Sequence, residues 1–298
     1  MNKAVIDLGT NTFNLLVFEE INSEIKIVYT NRSPVGLGMG GINDNIIAQD
    51  AFERGVNTII QFKEICDKYQ VNQIKAFGTS AIRGAKNGTE FKKVVFKTSN
   101  IDIEIIDGNR EAELIFKGVQ LVHKFKSKSC IIDIGGGSTE FIIVEEGKAT
   151  ELQSFDIGVA RILQLFDFSD PLTQKDLAVI EQFFKDKTNP FFVNQSSDVL
   201  IGASGSFETF YELIMNKKYD NEWESVQLPF DSLLNFLDEL IFSSQKERDQ
   251  NEKISDLRKN MIHIAAFKTK WVIEQLNIKE VWLSPGSLKE GVIAEVVE

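Results

Sequence analysis

The chain has 298 residues, 43% hydrophobic and 26% charged, with 20 glycines and only 5 prolines. That composition suits a globular chain of two domains and excludes a disordered or fibrous one. The net charge of −11 argues against nucleic-acid binding and leaves any polyanionic ligand to a local basic pocket, a metal ion or helix N-termini.

The opening MNKAVIDLG enters an apolar strand at once, without a signal-peptide pattern. No run approaches the ~20 apolar residues that span a bilayer. The expectation is a cytoplasmic protein with no membrane partner. Strands are predicted at Lys3–Asp7, Leu15–Glu19, Ile25–Tyr29, Ile74–Gly78 and Ile103–Ile106. Between them a helix covers Ala51–Tyr69, where Phe52, Val56, Ile59, Phe62 and Ile65 fall largely on one face. Another helix runs from near Asn109 to about Lys124. Strands recur at Ser129–Ile134, Glu140–Glu145 and Ala149–Asp156. Helices then cover Val159–Phe166, Lys175–Lys187, Phe207–Met215, Asp231–Phe242 and Lys253–Leu276. A strand at Glu280–Leu283 precedes a closing helix at Ser287–Val297. The alternation predicts α/β layers. Cys66 and Cys130 read as small core residues in a reducing compartment. Two histidines, His123 and His263, are too few for a His-rich zinc site.

The chain repeats itself. Ile6-Asp7-Leu8-Gly9-Thr10-Asn11-Thr12 stands over Ile132-Asp133-Ile134-Gly135-Gly136-Gly137-Ser138, and Leu15-Leu16-Val17 over Phe141-Ile142-Ile143, at one offset of 126. Phe77-Gly78-Thr79-Ser80-Ala81 matches Ile201-Gly202-Ala203-Ser204-Gly205 at 124. A weaker pair sets Ile105-Ile106-Asp107-Gly108 against Trp282-Leu283-Ser284-Pro285-Gly286. Three matches in one order predict a duplicated domain, split at 1–124 and 125–298, with the closing helix free to pack back on the first half.

At each turn a strand delivers an Asp to glycines, which admit φ > 0 and clear space for a ligand. Backbone N–H groups there can form an anion nest. Thr10, Asn11 and Thr12, and Ser138 and Thr139, add donors, so two facing loops make a phosphate clamp. Asp7 and Asp133 suit a hydrated magnesium ion; they also suit turn stabilisation. Glu140, at the mouth of an apolar strand, fits metal, water or substrate better than packing. Arg83, past a strand end with Thr79 and Ser80, suits a bidentate phosphate contact or a solvated loop.

These residues together resemble the exopolyphosphatase/guanosine pentaphosphate phosphohydrolase (Ppx/GppA) family of the acetate kinase, sugar kinase, heat-shock chaperone and actin superfamily. The matching segments are AVIDLGTNTFNLLV, GTSAIR, IEIIDGNREAELIFKGV, IIDIGGGSTEF, IGASGS and LSPGSLKEGV. The resemblance implies two ribonuclease-H-like (actin-like ATPase) domains with an interdomain cleft. It implies hydrolysis of a terminal phosphoanhydride of inorganic polyphosphate or of guanosine pentaphosphate, with Mg2+. Glu111 matches the family's catalytic glutamate, which deprotonates the attacking water. Asp133 and Glu140 match the acids that hold magnesium and water, with Asp7 as a third metal ligand. Gly136, Gly137 and Ser138 match the phosphate turn, Ser204 and Gly205 lie in IGASGS, the second-half counterpart of GTSAIR, and Arg83 matches a phosphate-binding arginine. Lys86, Lys92, Lys93 and Arg161 are candidates for longer contacts. Arg110 stands where the family often has a second glutamate, and Pro285 where many relatives have Asp. The chain lacks the additional helical region of longer relatives, which implies a short form with a weaker grip on long polymers. A homodimer stays open, as do two rivals: a small-molecule kinase of the superfamily and a weakly catalytic alarmone sensor.

Overall fold

The computed structural model describes residues 1–21, 24–220 and 223–297. The first half runs β1 (Asn2–Leu8), β2 (Thr12–Ile21), β3 (Glu24–Pro34), α1 (Gln49–Lys68), β4 (Gln73–Gly78), α2 (Ser80–Arg83), α3 (Gly88–Ser99), β5 (Ile103–Ile105) and α4 (Gly108–Val122). The second begins with β6 (Ser129–Ile134), β7 (Thr139–Glu145), β8 (Lys148–Phe155), α5 (Val159–Leu165), α6 (Gln174–Phe192), β9 (Val199–Gly202) and α7 (Gly205–Met215). It closes with β10 (Val226–Leu228), α8 (Phe230–Ile241), α9 (Gln245–Gln250), α10 (Ile262–Leu276), β11 (Glu280–Leu283) and α11 (Leu288–Val297).

Among the described residues these strands form two mixed sheets, ordered β3-β2-β1-β4-β5 and β10-β11-β9-β6-β7-β8. In each, the first strand pairs antiparallel with its hairpin partner and parallel with the strand after the crossover. The order β8-β7-β6-β9-β11 repeats that of the first sheet. The repeat read at offset 126 is therefore a duplicated sheet.

Alternation along the strands sorts residues into three cores. Ala4, Ile6, Leu8, Phe13, Leu15 and Val17 face a first core with Ile59, Phe62, Phe91 and Val95 of α1 and α3. Ile132, Ile134, Phe141 and Ile143 face a core with Phe184 of α6 and Trp271 of α10. The opposite faces look at each other. Val5, Leu16 and Phe18 share a third core with Ile131, Ile142 and Val144, filled by Leu114, Ile115 and Val119 of α4 and Leu288, Val292 and Ile293 of α11. Side-chain volume is minimal where these two helices cross. A Cβ on Gly118 would lie 2.0 Å from the Ser287 carbonyl oxygen, and one on Gly291 would lie 1.8 Å from that of Leu114. Arg110 and Lys117 of α4 both reach Glu295 of α11, the latter at 2.8 Å. The last helix thus packs on the helix that closes the first half.

Four elements, α2, α3, α9 and β10, have no counterpart in the sequence reading. The expected helix Lys253–Leu276 is shorter: residues 251–261 form turns, and α10 starts at Ile262. Ile254 is anchored in the second-half core, and the backbone turns back at Arg258 N–H to the Ser255 carbonyl (2.7 Å). Tertiary contacts override helical propensity in this segment. Among the described residues no helix is long and apolar enough to cross a membrane.

Candidate active site

Both hairpin turns open on one cavity of about 200 Å³ at the rim of the third core. The first turn contributes Asp7, Thr10, Asn11 and Thr12; the second contributes Asp133, Gly136, Gly137, Ser138 and Glu140. None of Gly9, Gly135, Gly136 and Gly137 has a positive φ, so the φ argument for these glycines does not hold. Close approach explains them. A Cβ on Gly136 would sit 2.5 Å from Asn11 Nδ2, and one on Gly137 would sit 2.6 Å from Thr10 Oγ1 and 2.5 Å from Ser80 Oγ. The glycines let the two copies touch across the cleft. Arg161 braces this contact, donating to the carbonyls of Gly137 (3.0 Å) and Ile42 (3.3 Å).

The strand register arranges two rows of polar side chains. In the second sheet Asp133 pairs with Glu140, and Glu140 with Ser154. Ser154 Oγ donates to Glu140 Oε1 at 2.6 Å. In the first sheet the same positions read Asp7, Asn14 and Arg32, and Asn14 Nδ2 donates to Asp7 Oδ2 at 3.0 Å. Glu111 enters between the rows on α4. Asp107 caps that helix by accepting from Arg110 N–H at 2.8 Å. Gly108 permits its first turn to lie on β8, since a Cβ there would meet Ser154 Cβ at 2.4 Å. Arg83 Nη1 donates to Glu111 Oε2 at 2.8 Å and to the Ile106 carbonyl at 3.1 Å.

Crowding of acids in a dry place raises their proton affinity. Burial pushes Asp7 up to about 6, against the Asn14 hydrogen bond. Burial, then the charge of Glu140, raise Glu111 well above the usual carboxylate range, with Arg83 opposing. Burial and the Glu140 charge also raise Asp133. Burial raises Glu140 itself against hydrogen bonds from Ser154 and Ser138.

The second repeated segment supplies two more groups. Ser80, first residue of α2, and Ser204, the residue before α7, line the cavity. Among the described residues both hydroxyls are buried without a hydrogen-bond partner. Buried hydroxyls without partners are costly in a closed fold.

Most sequence-predicted residues converge here, including Gly205 at the cavity wall. Thr139 does not. Alternation turns it to the other face of β7, where its Oγ1 accepts from Lys268 Nζ at 2.6 Å. Lys268 is fully buried, also donates to the Ile157 carbonyl, and stands 5.3 Å from the Phe184 ring centre. Burial pushes this amine down to about 7, against the Glu140 charge. Arg83 lies behind Glu111 and does not line the cavity. Lys86, Lys92 and Lys93 are also outside its lining, and Lys92 pairs with Asp102 at 3.1 Å. Arg110 points to Glu113 and Glu295.

Among the described residues no three His, Cys, Asp or Glu side chains gather closely enough to hold a metal ion. Asp7, Asp133 and Glu140 therefore form no protein cage. Their carboxylate oxygens and their place beside unpartnered hydroxyls still fit magnesium, which is commonly held by one or two carboxylates, waters and phosphate oxygens.

Sequence reading missed Asn14, Arg32, Glu208, Arg258, Lys268 and Lys289. Asn14 was findable, because it stands 126 residues before Glu140. Arg32 of β3 binds Glu208 of α7 bidentately across the cleft, at 2.7 and 3.1 Å. Arg258 meets the same Glu208 oxygen at 3.0 Å and Thr209 Oγ1 at 3.0 Å. Burial alone would raise Glu208, but the hydrogen bond and charge of Arg32, then those of Arg258, hold it down to about 2.

The model of the Ppx/GppA phosphatase family matches residues 16–298. A curated guanosine-5'-triphosphate,3'-diphosphate pyrophosphatase of Aeromonas salmonicida is 28% identical over 97% of this chain. The chain spans only 58% of that relative's length. An exopolyphosphatase structure from Cytophaga hutchinsonii superposes with a TM-score of 0.95 at 34% identity, covering 100% of this chain and 98% of that one. A Ppx/GppA family member from Aquifex aeolicus superposes at 0.83 with 24% identity, covering 100% and 97%, and shares the fold. The fold is that of two duplicated, actin-like α/β domains with a cleft between them.

Proposed function

The chain belongs to the Ppx/GppA phosphatase family, and from that premise we propose that it hydrolyses the terminal bond of a phosphoanhydride chain. The substrate is inorganic polyphosphate, guanosine pentaphosphate, or both, and the setting is cytoplasmic. One observation carries this reading. A buried glutamate of raised proton affinity, held by an arginine, faces a cavity with two unpartnered hydroxyls at duplicated positions.

In this mechanism Ser80, Ser204 and backbone N–H groups of the turns take up oxygens of the terminal phosphate. Glu111 accepts a proton from water as the water oxygen bonds to the terminal phosphorus. The bond from phosphorus to the bridging oxygen breaks, and its electron pair leaves with the shortened chain. Arg83 keeps the Glu111 carboxylate aimed, and raised proton affinity brings Glu111 nearer the range in which a base works at neutral pH. Lys289, on the cavity wall, offsets negative charge. Asp133, Glu140 and Asp7 are the residues that would hold magnesium, which supplies positive charge against the phosphate oxygens.

The test is phosphate release from polyphosphates of defined length and from guanosine pentaphosphate, with and without magnesium. Glu111→Gln is expected to lose at least ~10³-fold in turnover while still binding substrate. Full activity in that variant would remove Glu111 as the base, and release from none of these substrates would overturn the proposed reaction.

A further inference from the structure

The inner cavity does not end at Arg32 and Glu208. Arg32, Glu208, Arg258 and Lys289 line both it and a groove of about 860 Å³ whose wall also carries Lys218 and Lys253 beside Glu212, Glu252 and Asp256. At about 200 Å³ the inner cavity is below the ~300–1,000 Å³ of pockets that enclose a drug-sized ligand. The groove is within that range. The shared wall gives a phosphoanhydride chain whose last phosphate reaches Glu111 a route outward past Glu208. This inference rests on the proposed reaction at that point.

We propose that Glu208 is an internal competitor for substrate: its carboxylate occupies the two guanidinium groups that a passing phosphate would engage, and so limits how tightly chain substrates are held. A forked pair of donors from Arg32 and one N–H from Arg258 on one carboxylate make an arrangement that also suits a phosphate, which offers more charge and more oxygens. Arg258 is fixed independently of Glu208. It holds Thr209 Oγ1 at 3.0 Å and lies so close to Gly205 that a Cβ there would be 1.8 Å from its Nη2. Arg32, on the opposite half, has a side chain 45% exposed, and that of Glu208 is 23% exposed. Both can swing toward the groove when a phosphate arrives. Held down to about 2, Glu208 remains an anion at every physiological pH.

A plain structural clamp between the halves makes a different prediction, and signs separate the two. If the ion pair only holds the halves together, losing either end weakens substrate binding in the same direction. If Glu208 competes, the two ends act oppositely. Calorimetric titration with tripolyphosphate in the absence of divalent metal should show Glu208→Gln binding about tenfold more tightly than wild type, and Arg32→Gln several-fold more weakly. In turnover the same split appears in KM, with Glu208→Gln lowering KM more for long chains than for tripolyphosphate. Thermal melting of each variant confirms that it is folded. Equal or weaker tripolyphosphate binding by folded Glu208→Gln overturns the proposal. Should wild type release no phosphate, the proposed reaction fails, while the titration still decides whether Glu208 competes for an anion.

Discussion

The two polar rows are one design used twice with different side chains. Both stand on the inner face of a three-strand meander, at matching register. In the first, Asp7 is answered by the Asn14 amide, and Arg32 ends the row. In the second, Asp133 faces another acid, Glu140, and only a serine hydroxyl ends the row. The first row is nearly balanced in charge. The second concentrates negative charge beside Glu111, whose proton affinity it raises. The two copies keep one backbone frame with different side chains: two adjacent acids in the second, and one acid answered by an amide and an arginine in the first.

The strongest way to break that comparison is to neutralise corresponding positions. Glu140→Gln is expected to lower kcat by roughly 10²–10³. Asn14→Ala, at the matching position, is expected to lower it about fivefold, the equivalent of one neutral hydrogen bond of ~1 kcal/mol. Phosphate-release kinetics on both variants decide the matter, and equal losses would mean that the rows share the chemistry.

A smaller effect sharpens the role of Lys268 behind the second row. Its folded proton affinity is lowered to about 7, below the ~10.4 of an unfolded lysine. Burying its charge therefore destabilises the fold fully below pH 7, and this cost fades steadily between pH 7 and ~10.4. Melting curves should show wild type gaining on Lys268→Met as pH rises from 7 to 10. A constant difference would mean that the amine is solvated. The smallest effect belongs to the far side of α4. Arg110→Gln, which loosens a half-exposed contact to α11, is expected to cost under ~1 kcal/mol in denaturant titration and to change kcat by less than twofold. A larger drop in kcat would tie the aim of Glu111 to the outer face of its helix.

How much of this was legible in sequence follows from how each part is encoded. The hairpins were readable because apolar alternation and glycines act locally, and the repeat confirmed them at a fixed offset. Asp133 and Glu140 stood out because they adjoin those turns, whereas Glu111, on α4, stood out only through the resemblance of NREAELIF to the family's motif. Thr139 was misassigned because adjacent strand residues face opposite sides, so one position separates cleft from core. Arg32, Glu208, Arg258 and Lys289 reach the site from β3, α7, a loop and α11. In sequence each looks like a solvated charge, and only the fold brings them together. The turns at residues 251–261 were read as helix because nothing local records that Ile254 must reach the core while Arg258 turns to Glu208.

The crossing of α4 and α11 at Gly118 and Gly291 also sets an order of events during synthesis. Once residues 1–124 have left the ribosome, the first sheet and the helix that bears Glu111 are both outside it. The apolar side of that helix then still lacks Leu288, Val292 and Ile293, and Glu111 still lacks the charge of Glu140. The apolar side of α4 is therefore covered only once residues 288–297 are in place.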